Sequence, residues 1–305
     1  MASTIKYENG YALSGGFIKG FAHLGVMQAL IEHDIQPGIV AGVSAGALAG
    51  VFYADGNEPY KVLDYFAGHK FFDLTKFIIP KMGLFDMRDF IDFLKSNLKA
   101  KTIETLEIPF TISATDLDKG RIVHFTKGSI AERVAASCCM PVLFSPVKIN
   151  NTHYVDGGLF MNLPVSVIRK QCQNVVAVNV SPLIAKEYKK NILSIAMRSY
   201  NLMFQANIIN EIKHSDMLIE VNNLQDYGNT ELDKANDIFM QGYNTANAIL
   251  KERVELNGSI WTPTQPLINT PNLTSDAPII EQKVQEKTKS KNTVDVNGVV
   301  QASHK

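Results

Sequence analysis

Cysteine is scarce in this sequence of 305 residues: there are three, and Cys138 and Cys139 are neighbours. An odd, clustered set builds no disulfide framework, and no Cys-x-x-Cys or Cys/His spacing suggests zinc. A reducing, cytoplasmic compartment is therefore expected, with neither metal nor cofactor. Net charge is missing as well. Thirty Lys and Arg balance thirty Asp and Glu, so no global field recruits nucleic acid or an anionic membrane, and nucleic acid is not an expected partner. No apolar run approaches the roughly 18 residues that cross a bilayer. Residues 1–10 are polar and lack the apolar stretch of a signal peptide. The expectation is a protein without a transmembrane segment, at most peripheral to a membrane.

What the chain does have is apolar content, 46%, enough for one large core. Tyr11 to Ser14 reads as a short buried strand ending in Gly15-Gly16. A helix is predicted from about Gly20 to Glu32, and Pro37-Gly38 turns the chain into a second strand. Ala47 to Phe52 is helix-forming. Strand, helix, strand, helix is the order of a parallel α/β sheet. Further strands are expected at 110–115, 122–125, 147–149, 153–155, 175–180 and 217–221. Helices are expected at 84–98, 129–136, 192–213 and 233–253, with Ser129 as a cap and Pro164 opening another. From Asn257 the texture turns to Pro, Thr, Asn and Lys without periodicity. Residues 8–256 are thus read as one folded domain and 257–305 as a polar, disordered tail.

Three segments can carry chemistry. Gly42-Val43-Ser44-Ala45-Gly46 sits between an apolar run and a helix former, the signature of a nucleophile elbow. A tight, strained turn needs small neighbours so that backbones can approach. Ser44 then stands at a helix N-terminus, whose dipole favours developing negative charge. The second segment is Ser14-Gly15-Gly16-Phe17-Ile18-Lys19-Gly20. Its glycines can turn N–H groups toward a ligand, but neither the P-loop nor the dinucleotide spacing is present. Backbone donors for an oxyanion are the other use, and a simple structural turn is the plain alternative.

The third segment is Asp156-Gly157-Gly158, at the end of an apolar strand. Asp-Gly is ordinarily a turn, yet α/β folds place catalytic groups at the carboxyl edge of a sheet. A carboxylate of pKa about 3.9 is a poor acceptor for a serine proton. Burial in an apolar pocket raises that pKa and makes a Ser-Asp dyad feasible. The alternative is a Ser-Asp-His esterase or acyltransferase, whose chain order leaves His214 or His304 as the base. His23, on the first helix, and His153, in a hairpin, are weaker candidates.

The three motifs in this order resemble those of the patatin-like phospholipases. The resemblance spans about residues 8–220. It includes Ala22-His23-Leu24-Gly25-Val26, Ala114-Thr115-Asp116-Leu117, Ala136-Ser137 through Pro141 and Phe144, and Asn162-Leu163-Pro164. It implies a three-layer α/β/α sandwich with a mostly parallel central sheet and a nucleophile elbow. It also implies a lipid acyl hydrolase working through a Ser-Asp dyad without histidine. Ser44 is the implied nucleophile and Asp156 the base, with Gly15, Gly16 and Phe17 as oxyanion donors. Lys19, Gly20, Gly42, Gly46, Gly157 and Gly158 are supporting residues. The departure is Phe17, where the family usually has a third glycine. A catalytically silent lipid-binding protein is the reading from another class.

A phospholipid or other lipid ester is the expected partner. Residues 66–85 interleave apolar side chains (Phe71, Phe72, Leu74, Phe77, Ile78, Ile79, Leu84) with Lys70, Lys76 and Lys81. Peripheral membrane contact is expected through about Phe71–Leu84, or else this stretch is an ordinary cap on the core. The apolar residues on several faces of the 192–213 helix suggest an acyl groove or deep burial.

Overall fold

The computed structural model describes residues 5–66, 76–77, 83–182, 188, 190–224, 227 and 231–261. Most of the expected membrane-contact segment, and the expected tail beyond residue 261, fall outside these residues. The chain alternates strands and helices: β1 (Tyr7–Leu13), α1 (Phe21–Glu32), β2 (Ile39–Val43), α2 (Ala45–Ala54), α3 (Val62–Phe66), β3 (Lys76–Phe77), β4 (Phe85–Asp86) and α4 (Arg88–Asn97). Then come β5 (Phe110–Asp116), β6 (Arg121–Phe125), α5 (Ile130–Cys138), β7 (Val147–Ile149), β8 (Thr152–Asp156), α6 (Val165–Arg169), β9 (Cys172–Asn179), α7 (Ile192–Ile212), β10 (Met217–Glu220) and α8 (Ala235–Asn257). Ser129 caps α5 by accepting the Glu132 N–H.

The main sheet runs β10-β9-β1-β2-β5-β8-β7, with β6 also on β5. The strands from β10 to β5 pair in parallel, whereas β6, β7 and β8 pair antiparallel. Side chains alternate faces, as the strand period of two requires. Tyr11 and Leu13 of β1, Val40 of β2 and Val176 and Val178 of β9 point into the larger core, with α1, α2, α4, α5 and α8. Ala12, Ala41, Val175 and Ala177 point the other way, against α6 and Ile208 of α7. The result is the expected three-layer α/β/α sandwich, with helices on both faces of a mostly parallel sheet.

One feature of the pairing positions the site. β2 covers Phe110 to Ser113 on β5, and β8 covers Ala114 to Asp116. β6 spans Ile112 to Asp116, so it takes the opposite edge, because a strand has only two. β8 therefore runs antiparallel along the same edge as β2, and the two carboxyl ends meet. Val43 pairs with Ser113 while Asp156 pairs with the next residue, Ala114. Asp156 thus abuts the residue that follows Val43, which is Ser44.

Candidate active site

Ser44 joins β2 to α2 with φ 51° and ψ −121°, a strained conformation for a residue with a side chain. Its carbonyl accepts the Leu48 N–H at 3.0 Å, which opens α2. The neighbours must be glycine for a steric reason. A Cβ at Gly46 would lie 2.4 Å from the Leu13 carbonyl oxygen, and one at Gly42 would lie 2.7 Å from the Ala47 backbone. The spacing of the motif is therefore the packing of an elbow against β1 and α2. The Ser44 N–H donates to Ser137 Oγ (2.8 Å), and the Ser137 hydroxyl donates to the Ser113 carbonyl (2.7 Å). Ser137 lies at the end of α5 and stitches the elbow to β5.

Asp156 is held from several sides. Its N–H donates to the Cys139 carbonyl (2.8 Å), Thr115 Oγ1 donates to its carbonyl (2.9 Å), and the Gly158 N–H donates to its Oδ1 (2.8 Å). The Ser44 hydroxyl lies close enough to the carboxylate to favour its charged form. Burial raises the Asp156 pKa from 3.8 to about 7, outweighing the two groups that lower it. The sheet places this aspartate at the carboxyl edge by an antiparallel strand, which the sequence pattern did not reveal.

The glycine loop lies beside the serine. The Gly15 N–H already donates to Asn162, at 3.1 Å to Oδ1 and 3.2 Å to the carbonyl. Gly16 leads into a 3-10 turn, Phe17–Gly20, that precedes α1. Phe17 has φ 56°, the left-handed region that favours glycine. The strain accounts for a glycine being usual there, and Phe17 accepts it while its side chain lines the cavity at Ser44. Gly20 is close-packed on Ala45, and Gly157 on the Ser113 carbonyl, where a Cβ would lie 2.4 Å away. Lys19 is half-buried and is not among the cavity-lining residues.

The cavity measures about 130 Å³ and is lined almost wholly by apolar side chains, most of them between Phe17 and Phe90, with Met140, Phe144 and Leu232. Its polar lining residues are Ser44, Asp156 and Cys138. Burial pushes the Cys138 thiol up, so it stays neutral in the cavity it shares with Ser44. No residue of α7 is among the residues lining this cavity. Deep burial does not describe α7: Tyr200, Phe204 and Ile208 are buried, but Ile192, Ile195, Leu202 and Met203 are exposed.

No histidine lines the cavity among the described residues. His23 is fully buried, donates from Nε2 to the Ser14 carbonyl (2.8 Å), and is driven by burial to a pKa of about 4. It braces the start of the glycine loop as a neutral ring. His153 faces Asp118 on the surface. His214 follows α7, with its carbonyl accepting from Arg169. His304 lies outside the described residues.

Sequence reasoning gave no role to Ser137, Asn162, Cys138 or Tyr200. Ser137 and Asn162 stood in the flanks of the motifs, where spacing could have flagged them. The Tyr200 hydroxyl, buried without a partner among the described residues, is close enough to Asp156 to feel its charge. That proximity comes from α7 packing on Gly158 and Leu159 through Asn207 and has no local sequence signal. Ser137→Ala is expected to slow turnover about tenfold with KM little changed, and to cost roughly 1–3 kcal/mol because it leaves a buried N–H and carbonyl unpaired. Steady-state kinetics and a thermal melt check both halves.

Fold and site together define an α/β protein with a serine elbow facing a buried carboxylate. The sequence profile described as Patatin-like phospholipase matches residues 11–168, and the chain belongs to that family. An uncharacterized NTE family protein of Mycobacterium tuberculosis is 33% identical over 165 residues, covering 52% of this chain and 44% of the relative. The chain therefore spans less than half the length of the mycobacterial relatives it matches. Bacillus subtilis YqhO is 26% identical over 63% of this chain and 77% of its own. Lysophospholipase NTE1 of Mycosarcoma maydis is 30% identical over 57% of this chain and 10% of its own. Among solved structures, VipD of Legionella pneumophila is 14% identical at a TM-score of 0.44, covering 80% of this chain and 67% of that one.

Proposed function

We propose that the protein is a serine lipid acyl hydrolase of phospholipase A or lysophospholipase type, working through a Ser44–Asp156 dyad and an acyl-enzyme. One observation carries the reading: the Ser44 hydroxyl faces, in one apolar cavity, a buried carboxylate whose pKa is about 7, well matched to a general base at neutral pH. Asp156 takes the hydroxyl proton as Ser44 Oγ attacks the ester carbonyl. The oxyanion forms beside α2, whose N-terminal dipole favours it. The N–H groups of Gly16 and Phe17 are the donors, since that of Gly15 is committed to Asn162. Asp156 passes its proton to the leaving alcohol, then deprotonates a water that releases the fatty acid. The apolar cavity keeps the carboxylate desolvated and receives the acyl chain.

A fluorophosphonate probe, which needs an activated serine, is expected to label the protein at Ser44. Released fatty acid is expected from a phospholipid and lysophospholipid panel. His214→Ala is expected to retain both activities. Loss of labelling in His214→Ala equal to that in Ser44→Ala would replace the dyad with a triad.

A further inference from the structure

The cavity at Ser44 runs along one face of α2. Ser44, Ala45, Leu48, Ala49 and Phe52 all line it, which is a single stripe along α2 at helical spacing. At 1.5 Å of rise per residue, Phe52 stands about 12 Å along the helix from Ser44. Ile18, Phe21 and Leu24 form the facing wall, and Val62 and Phe66 of α3 line the cavity too. At the Phe52 end the aromatic rings meet one another. Phe66 packs edge-on to Phe21 with centroids 5.2 Å apart, and stands 5.9 Å from Phe52 and 5.3 Å from Phe93. Tyr65 is the other ring contact of Phe52, stacked on it at 5.1 Å. Phe52 is fully buried and Phe66 is 5% exposed. Rings that pack on several neighbours hold each other's rotamers, so this end is a wall with little give.

The length sets an upper limit and the volume a lower one. A staggered chain of roughly 1.5 Å bonds advances about 1.25 Å per carbon, so the 12 Å stripe takes about ten carbons. A cavity of 130 Å³ is close to the roughly 150 Å³ void known to hold a six-carbon ring. We propose that this cavity is an acyl pocket of fixed depth, closed by Phe52 and Phe66, which selects esters of acyl chains of about six to ten carbons. The proposal rests on the hydrolase reading for its substrate class, but the depth of the pocket is testable without turnover. A longer chain must bend back or leave its end in water, so each further methylene adds no binding.

Calorimetric titration of Ser44→Ala protein with saturated fatty acids of four to sixteen carbons, kept below micelle concentrations, reads the depth directly. Affinity is expected to climb with each added carbon pair up to eight or ten carbons and then level off or fall. In the Ser44→Ala, Phe66→Leu protein the climb should continue to longer chains, raising the ratio of sixteen- to eight-carbon affinity about tenfold, the discrimination one or two methylenes carry. Leu48→Trp, which fills the stripe half-way, should move the break to shorter chains, and it keeps the test open if Phe66→Leu does not fold. Affinity climbing steadily to sixteen carbons in the Ser44→Ala protein, or no binding of the eight- and ten-carbon acids, overturns the proposal. The same series as p-nitrophenyl esters, with Ser44 intact, separates the two readings: binding with the stated break but no hydrolysis counts against the hydrolase and leaves the pocket standing.

Discussion

Asp156→Asn is expected to lower kcat/KM for lipid ester hydrolysis about a thousandfold or more, and Ser44→Ala by a similar factor. The reason is that neither group works alone. A serine hydroxyl without a base is a weak nucleophile, and an asparagine amide cannot take its proton at any accessible pH. Asparagine is nearly isosteric with aspartate, so its Oδ1 can still accept the Gly158 N–H that now holds Asp156 at 2.8 Å. The loss would then report chemistry and not a displaced loop. Residues that act as a unit are not additive. The double variant should therefore be no slower than either single one, and all three should melt cooperatively. Kinetics on a lysophospholipid with circular dichroism of each variant make the test. Substantial activity in a folded Asp156→Asn protein would remove the carboxylate from the mechanism.

Much of this architecture is legible in the amino-acid sequence because its signals are local. The apolar runs at β1, β2 and β5, the Pro37-Gly38 turn and the Ser129 cap each predict an element within a few residues of where it lies. The elbow is legible for the same reason: Gly42 and Gly46 are required by atoms of Ala47 and Leu13 that the strand–turn–helix order itself brings close. Helix α4 is shorter than its apolar pattern suggests, beginning at Arg88 because Phe85–Asp86 pairs with Lys76–Phe77 instead. Tertiary pairing overrides propensity there.

The rest depends on contacts between distant segments. That β8 shares an edge of β5 with β2, end against end, follows from pairing register, and no window of sequence contains it. The same holds for Asn162 reaching back to Gly15 across 147 residues. Phe17 is an instructive case. The sequence marks it as a departure from glycine, and the structure gives the departure a cost, a positive φ, together with a use, a wall of the cavity. The cavity at Ser44 is likewise assembled from distant segments, residues 17–90 together with Met140, Phe144 and Leu232, with none from the long α7. The composition of α7 reflects an exposed apolar surface, which hydrophobicity alone does not separate from burial.

Acidity ties the chemistry to stability, and the two should move in opposite directions. Activity requires ionised Asp156, so kcat/KM is expected to fall below pH 7, about tenfold per pH unit, leaving roughly a hundredth at pH 5. The folded pKa of about 7 lies above the ordinary 3.8 because burial disfavours the charge. The stability linked to this group is therefore fully present below the unfolded value and is lost as pH rises through 7. An uncharged replacement escapes that loss. Asp156→Asn should thus melt higher than the parent at pH 8, by at most roughly 4 kcal/mol, with the advantage gone below pH 4. His23 runs the other way: its folded pKa of about 4 lies below the ordinary 6.5, so its contribution is lost as pH falls from 6.5 toward 4. Since His23 is common to both proteins, it cancels in their difference. Matched melts of parent and Asp156→Asn from pH 4 to 8 isolate the carboxylate. A difference that does not grow with pH would mean that Asp156 ionises as an ordinary surface acid and that the site is wet. That result would undo the argument for aspartate as the base more directly than a slow variant could.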